Sequence, residues 1–340
     1  MINKSIFKNL KDKKVLITGH TGFKGAYLCI FLHHMGAEVY GYALKEEKGS
    51  LYEVASVRSL LKDEVIDDIR DYDKLKSFVG KVDPDYIIHM AAQPLVLKGY
   101  DEPRYTYEVN VMGTANLFEA IRVSKLSHLK SVINVTTDKV YENLERPDYA
   151  FVENDKLCGY DPYSNSKSCS ELVTYSYKHA FFSDNDIAIT TCRAGNVIGG
   201  GDVCENRIIP DLYRGIKDGK KTIMRNPDSI RPYQYVLEPI IMYTYIMLKT
   251  AEDKSLAGNY NIGPDKKDCL TTKDLSKAFF DAWGLSFDEH VDIKVDKNAP
   301  HESSFLRLDN KKVKDVFSYE PLVSMTDCMR YTTEVYKAIL

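Results

Sequence analysis

Tryptophan occurs once in the 340 residues, and the seven cysteines, at 29, 158, 169, 192, 204, 269 and 328, form no Cys-x-x-Cys pair and have no histidine at a zinc-ligand spacing. An odd, scattered set excludes a disulfide framework and argues against a metal site, so these thiols read as small core residues of a reducing compartment. Charge of one sign is also missing. The 46 Lys and Arg against 49 Asp and Glu give a net charge of −3, which leaves no electrostatic footprint for nucleic acid or an acidic membrane surface. Long apolar runs are missing too: the most apolar stretch, 239–248, is far shorter than the ~20 residues of a membrane span. The first fourteen residues are charged throughout and lack the apolar stretch of a secretory signal. These absences predict a cytoplasmic protein with no membrane partner. The length suggests about two domains.

What the chain does have is alternation. Runs rich in β-formers at 15–18, 38–43, 64–66, 86–90, 131–136 and 187–192 are separated by helical patterns, the signature of an α/β fold with a parallel sheet covered on both faces. Val109, Met112, Leu117, Ala120 and Ile121 approximate one buried helical face, and Cys169, Leu172, Val173, Tyr177 and Ala180 another. The alternation stops near 195, and a helix is expected near 236–250. The expected architecture is a Rossmann-type doubly wound parallel sheet with a smaller C-terminal α/β substrate-binding domain. Residues 1–193, joined by 234–262, form the first unit; 194–233 and 263–340 form the second.

The first strand runs directly into Gly19-His20-Thr21-Gly22-Phe23-Lys24-Gly25 and then an apolar helix. Glycines there permit a tight strand-to-helix turn and let backbone N–H groups approach a pyrophosphate at the positive end of the helix. The acidic residue that would meet a ribose 2′-hydroxyl is absent from the end of the second strand, where Ala43-Leu44-Lys45 stands, so NAD and NADP are not distinguished there. Asp68 and Ile69 follow the third strand, placed either to meet an adenine or in a solvated loop. Ala91, Ala92 and Gln93 end the fourth, with small residues that suit a closely approaching ribose.

Four Tyr-x-x-x-Lys pairs occur, against about two expected by chance from this composition. Tyr72/Lys76, Tyr213/Lys217 and Tyr245/Lys249 read as helix-surface pairs. Tyr163/Lys167 instead opens a helix after the fifth strand, with Asp161 as N-cap and Pro162 in the first turn. The four-residue spacing puts both side chains on one helical face, where an ammonium and an oxidised nicotinamide favour ionisation of the phenol. Thr137, Asp138 and Lys139 end the fifth strand at the edge where open α/β sheets bind ligands. Thr137 can bond a sugar hydroxyl. Asp138, kept protonated in a water-poor site, can act as a general acid; a solvated loop cap is the alternative.

Several of these segments together resemble the CDP-glucose 4,6-dehydratases, a branch of the extended short-chain dehydrogenases/reductases. They are the glycine loop, His89 to Val96, Asn110 to Thr114, Thr136 to Asn143, Gly159 to Lys167 and Arg193 to Asp202. The likeness continues through Arg225 to Pro227, Ile230 to Pro239, Asn261 to Pro264 and Pro300 to Glu302. Lys139 stands where relatives acting on other nucleotide sugars commonly have Glu. Tyr233, Val203 and Tyr235 depart from the Trp, Trp and His of the resembled family. The resemblance implies NAD as cofactor, with contacts from Gly19, Thr21, Gly22, Phe23, Lys24, Gly25, Asp68, Ile69, Ala91, Ala92, Gln93, Tyr163 and Lys167. It implies a nucleotide-sugar substrate held by Gln93, Asn196, Arg207, Arg225, Arg231 and His301, and a homodimer or larger assembly. The implied reaction converts CDP-glucose to its 4-dehydro-6-deoxy product, for synthesis of a bacterial surface polysaccharide. Tyr163 serves as base, Asp138 as acid, and Lys139 either removes the C5 proton or holds the water that does. A dehydratase of another nucleotide sugar, a 4-epimerase or reductase of the same fold, and a non-catalytic dinucleotide sensor are the alternatives.

Overall fold

The computed structural model describes residues 3–183, 187–294 and 305–339. After a 3-10 helix at Lys4–Leu10, strand β1 (Lys14–Thr18) is followed by helix α1 (Phe23–His34) and strand β2 (Glu38–Ala43). The helix begins after Gly22, and its last turn carries His33 and His34, suited to the negative end of the helix dipole. Then come β3 (Asp63–Ile66), α2 (Tyr72–Val82), β4 (Tyr86–His89), α3 (Gly113–Val123) and β5 (Ser131–Thr137). Next are α4 (Pro162–Phe181), β6 (Ala188–Ala194), α5 (Leu237–Glu252) and β7 (Asn259–Ile262).

The seven strands form one sheet in the order β7-β6-β5-β4-β1-β2-β3, every neighbouring pair parallel. The chain reverses direction across the sheet between β1 and β4, so the crevice at their carboxyl ends is the switch point where such folds bind ligands. All seven residues of β5 are buried, as expected of a strand covered on both faces. One apolar core joins the sheet to α1 and α5, and a second joins it to α2 and α3. Beyond the sheet, short strand pairs at 197–198 with 234–235, 230–231 with 270–271 and 222–224 with 291–293 lie among helices Ile208–Asp218, Thr272–Trp283 and Lys311–Phe317. Helix α6 (Met325–Ile339) closes the chain.

The first six strands fall where the β-rich runs predict them, shifted by one or two residues at their ends. Strand β7 lies outside those runs because it alternates Asn259, Tyr260, Asn261 and Ile262, a pattern that does not read as a buried strand. Its Asn261 is fully buried and bonds the Phe151 carbonyl at 2.8 Å and the Tyr141 hydroxyl at 2.7 Å. Two expectations are corrected. The buried face of α4 is polar: Ser164, Ser166, Lys167, Ser168, Ser170, Glu171 and Thr174 point inward, while Leu172, Tyr175 and Phe181 are exposed. The inward hydroxyls find partners, since Asn134 donates to Ser170 Oγ at 3.1 Å and Thr174 Oγ1 at 2.7 Å, so burial does not require them to be apolar. Tyr213 and Tyr245 are core residues rather than surface partners of their lysines; Tyr213 stacks on Tyr336 with ring centroids 4.1 Å apart.

Candidate active site

At the cofactor end, Gly19 has φ +80°, and a Cβ there would lie 2.7 Å from the Ala91 nitrogen. A Cβ on Gly25 would lie 2.2 Å from the Gly19 carbonyl oxygen, so both glycines are required for β1, the loop and α1 to meet this closely. Thr21 is buried and donates to the Leu44 carbonyl at 2.8 Å, and Phe23 packs near Gly199. The unpaired N–H groups of the first turn of α1 face the switch-point crevice, a fit for a dinucleotide pyrophosphate. Lys24 reaches back into the molecule: its Nζ donates to the Tyr243 hydroxyl at 3.3 Å, and desolvation, with Arg207 and Lys167 adding repulsion, depresses it to about 7. Asp68 pairs with Arg70, whose Nη2 and Nε lie 2.9 and 3.1 Å from its two carboxylate oxygens. Ile69 is buried beneath Gly113. Ala91 and Ala92 line the crevice at half burial. The Gln93 amide is engaged internally with Leu95 and Thr106.

The catalytic candidates converge at the end of β5. Asp161 caps α4 by accepting the Ser164 N–H at 3.0 Å, with Pro162 in the first turn, which puts Tyr163 and Lys167 on the inward face. Burial pushes the Tyr163 phenol up to about 12; a Thr137 hydrogen bond and the charge of Arg207 oppose this, and Asp138 adds to it. Ionising it at neutral pH therefore costs about 7 kcal/mol unless positive charge is added. Lys167 Nζ donates to the Val135 carbonyl at 2.9 Å rather than to the phenol, and desolvation lowers it to about 8. Asp138 is wholly buried. Its Oδ1 accepts the Thr137 hydroxyl at 2.9 Å and lies 3.6 Å from Lys139 Nζ, while Oδ2 has no partner. Lys139 Nζ is also 3.5 Å from Asn196 Oδ1. A buried carboxyl oxygen without a partner is costly in a resting protein and suits an incoming hydroxyl.

On the substrate side, Arg207 pairs with Asp202 at 3.0 Å and its charge reaches Tyr163. Arg231 is buried and donates to the Ile230 carbonyl, Arg225 is exposed, and His301 lies outside the described residues. The glycines at 199–201 serve close packing on Val236, Val335 and Leu51. Sequence reasoning passed over Tyr243, Glu171 and the role of Arg193. Glu171 follows Lys167 by four residues, a spacing that would have flagged it.

A seven-stranded parallel sheet, a glycine loop after its first strand and a Tyr-x-x-x-Lys pair at its carboxyl edge define the short-chain dehydrogenase/reductase fold. A family model described as GDP-mannose 4,6 dehydratase matches residues 16–332, and the chain belongs to that family. It is 38% identical to the CDP-glucose 4,6-dehydratase of Salmonella typhimurium, over 99% of this chain and 93% of the relative. It is 26% identical to the CDP-paratose 2-epimerase of Salmonella typhi, over 92% and 96% of the two chains. The dTDP-glucose 4,6-dehydratase of Streptomyces venezuelae, solved with NAD bound, superposes with a TM-score of 0.81 at 23% identity, covering 96% of this chain and 97% of that one. No helix among the described residues is long and apolar enough to cross a membrane.

Proposed function

We propose that this protein is a CDP-glucose 4,6-dehydratase that converts CDP-D-glucose to CDP-4-dehydro-6-deoxy-D-glucose and water. The observation that carries the reading is the buried Asp138, one oxygen unpartnered, beside Tyr163 and Lys139. A 4-epimerase or reductase would use Tyr163 and Lys167 and has no need of that acid. The 38% identity with the Salmonella typhimurium enzyme supports the choice of nucleotide. Bound NAD supplies the hydride acceptor and donor that keep the sequence redox-neutral, held by the glycine loop, Ala91, Ala92, Tyr163 and Lys167. Tyr163 takes the proton of the C4 hydroxyl, helped by Thr137, and the resulting ketone acidifies the C5 hydrogen. Lys139, or a water it holds, removes the C5 proton, and Asp138 delivers a proton to the departing C6 hydroxyl. Asn196 and Arg207 hold the sugar and diphosphate, guanidinium to phosphate.

In this reading residues 1–193 with 234–262 form the cofactor unit, and 194–233 with 263–340 the substrate unit. The protein works in the cytoplasm on the route to a surface polysaccharide. The exposed apolar face of α4, with Leu172, Tyr175 and Phe181 at 55, 63 and 49% exposure, supports a homodimer, which sedimentation at twice the chain mass would reveal and sedimentation at the chain mass would refute. The test of function is mass spectrometry of products from CDP-, dTDP-, GDP- and UDP-sugars. Loss of one water from CDP-glucose is expected, and a mass-neutral product would favour the epimerase.

A further inference from the structure

Glu171 stands one turn beyond Lys167 on the inward face of α4, and its carboxylate forms a bidentate pair with Arg193 of β6, Nε to Oε1 at 2.7 Å and Nη2 to Oε2. The two side chains are 1% and 2% exposed. The pair is fully hydrogen-bonded. Thr136 donates to Glu171 Oε1 at 2.6 Å, and Arg193 Nη1 donates to the Tyr141 hydroxyl at 2.7 Å and to the Glu153 carbonyl at 2.9 Å. Tyr141 continues to Asn261 on β7. Isolated from solvent, such a pair is often no more stabilising than apolar residues of the same volume, so stability alone is a weak account of it.

We propose that Glu171, fixed by Arg193, is a positioning residue for the proton chemistry at Tyr163: its charge keeps Lys167 cationic, and its bond to Thr136 anchors the strand end bearing Thr137 and Asp138. The proposal rests on the reading of Tyr163 and Lys167 as the catalytic pair. Desolvation works against a charged Lys167, and Glu171 is the carboxylate that opposes it. The other groups nearby do not replace it. His89 of β4 is buried and driven down to about 3, hence neutral, and Lys24 of α1, depressed to about 7 in part by repulsion from Lys167, supplies no negative charge. Tyr163 opens the same helix as a neutral phenol, and Asp138 at the end of β5 has Lys139 at 3.6 Å.

The test compares wild type with Glu171→Gln, with the neutral double variant Glu171→Gln/Arg193→Met and with Glu171→Asp. In the double variant the new amide can still accept the Thr136 hydroxyl while no charge is left unpaired. Two readouts are taken: the alkaline limb of kcat/KM with CDP-glucose, and the titration of the Lys167 ε-carbon in cofactor-free protein carrying 13C-lysine, assigned through Lys167→Arg. Loss of the anion should move both to lower pH by about one unit, and Glu171→Asp, whose shorter arm withdraws the carboxylate, should move them in the same direction by less. A folded neutral variant with both readouts at their wild-type pH would overturn the proposal. If neither neutral variant folds, Glu171→Asp decides: a downward displacement smaller than one unit supports the proposal, and an unmoved Lys167 makes the pair a brace and refutes it. Wild-type protein that dehydrates no nucleotide sugar would refute the proposed function instead, and the carbon titration would still decide the role of Glu171.

Discussion

At the scale of single residues, the proposed reaction would divide three proton tasks among Tyr163 at the start of α4 and Asp138 and Lys139 just after β5. Tyr163 sits where burial holds its proton, so in the proposed reaction added positive charge is what would let it act as a base. Asp138 has one oxygen committed to Thr137 and Lys139 and one without a partner, the arrangement expected of an acid awaiting a hydroxyl. Asp138→Asn should keep C4 oxidation, seen as nicotinamide absorbance at 340 nm in a single turnover, and slow water loss by about a hundredfold or more, since general acids contribute roughly 10² to 10⁴. Lys139→Ala should abolish exchange of the C5 hydrogen with solvent deuterium while leaving that absorbance change measurable. Dehydration at the wild-type rate in the first variant, or unchanged C5 exchange in the second, would reassign these roles. The triplet Thr137-Asp138-Lys139 was legible in the sequence because it ends a strand. The engagement of Lys167 with the Val135 carbonyl was not, because helical spacing fixes which residues share a face and says nothing of what an ammonium four carbons long will reach.

At the scale of elements, the glycine loop was the most readable part of the chain, because positive φ and close approach leave few residue types that fit. Its geometry makes a sharp prediction. Gly25→Ala puts a methyl 2.2 Å from the Gly19 oxygen and 2.7 Å from His20 Cα, all backbone, so α1 must move off the loop. Overpacking of this kind costs about 1 to 3 kcal/mol, and calorimetric titration should show NAD binding weakened at least about tenfold. Affinity equal to wild type would place the cofactor elsewhere. Helix α4 was legible at its start and misread along its length. Asp161 and Pro162 announce the first turn through cap chemistry, but apolar periodicity points to the stripe Cys169, Leu172, Val173, Tyr177 and Ala180, whereas the inward residues are Tyr163, serines, a threonine, Lys167 and Glu171. Hydrophobic periodicity fails there because the sheet presents Asn134 and Thr136 to the helix, and hydrogen bonds replace apolar contact. The apolar residues Leu172, Tyr175 and Phe181 are left exposed on the outer face. Strand β7 escapes for a related reason: Asn261 is buried as a partner of Tyr141 and Phe151, so burial there carries no apolar signal.

At the scale of the whole molecule, two sets of residues far apart in sequence meet across one crevice. In the proposed function the loop after β1, the ends of β4 and β5 and the start of α4 would bind the cofactor and carry the catalytic groups, and Asn196 and Arg207 arrive from beyond β6. The segment 141–157 ties the two, since Asn143 donates to the Phe305 carbonyl at 2.8 Å and Phe151 forms an isolated parallel bridge with Leu308. A site built this way can hold one substrate through oxidation, elimination and reduction without releasing it. The most direct test is therefore the path of a single hydrogen. CDP-glucose carrying deuterium at C4, turned over in the presence of excess unlabelled NADH, should give CDP-4-dehydro-6-deoxyglucose with that deuterium at C6. Product without label at C6, with deuterium recovered in the free nicotinamide pool, would contradict the internal return of the hydride and with it the account of this protein as a 4,6-dehydratase.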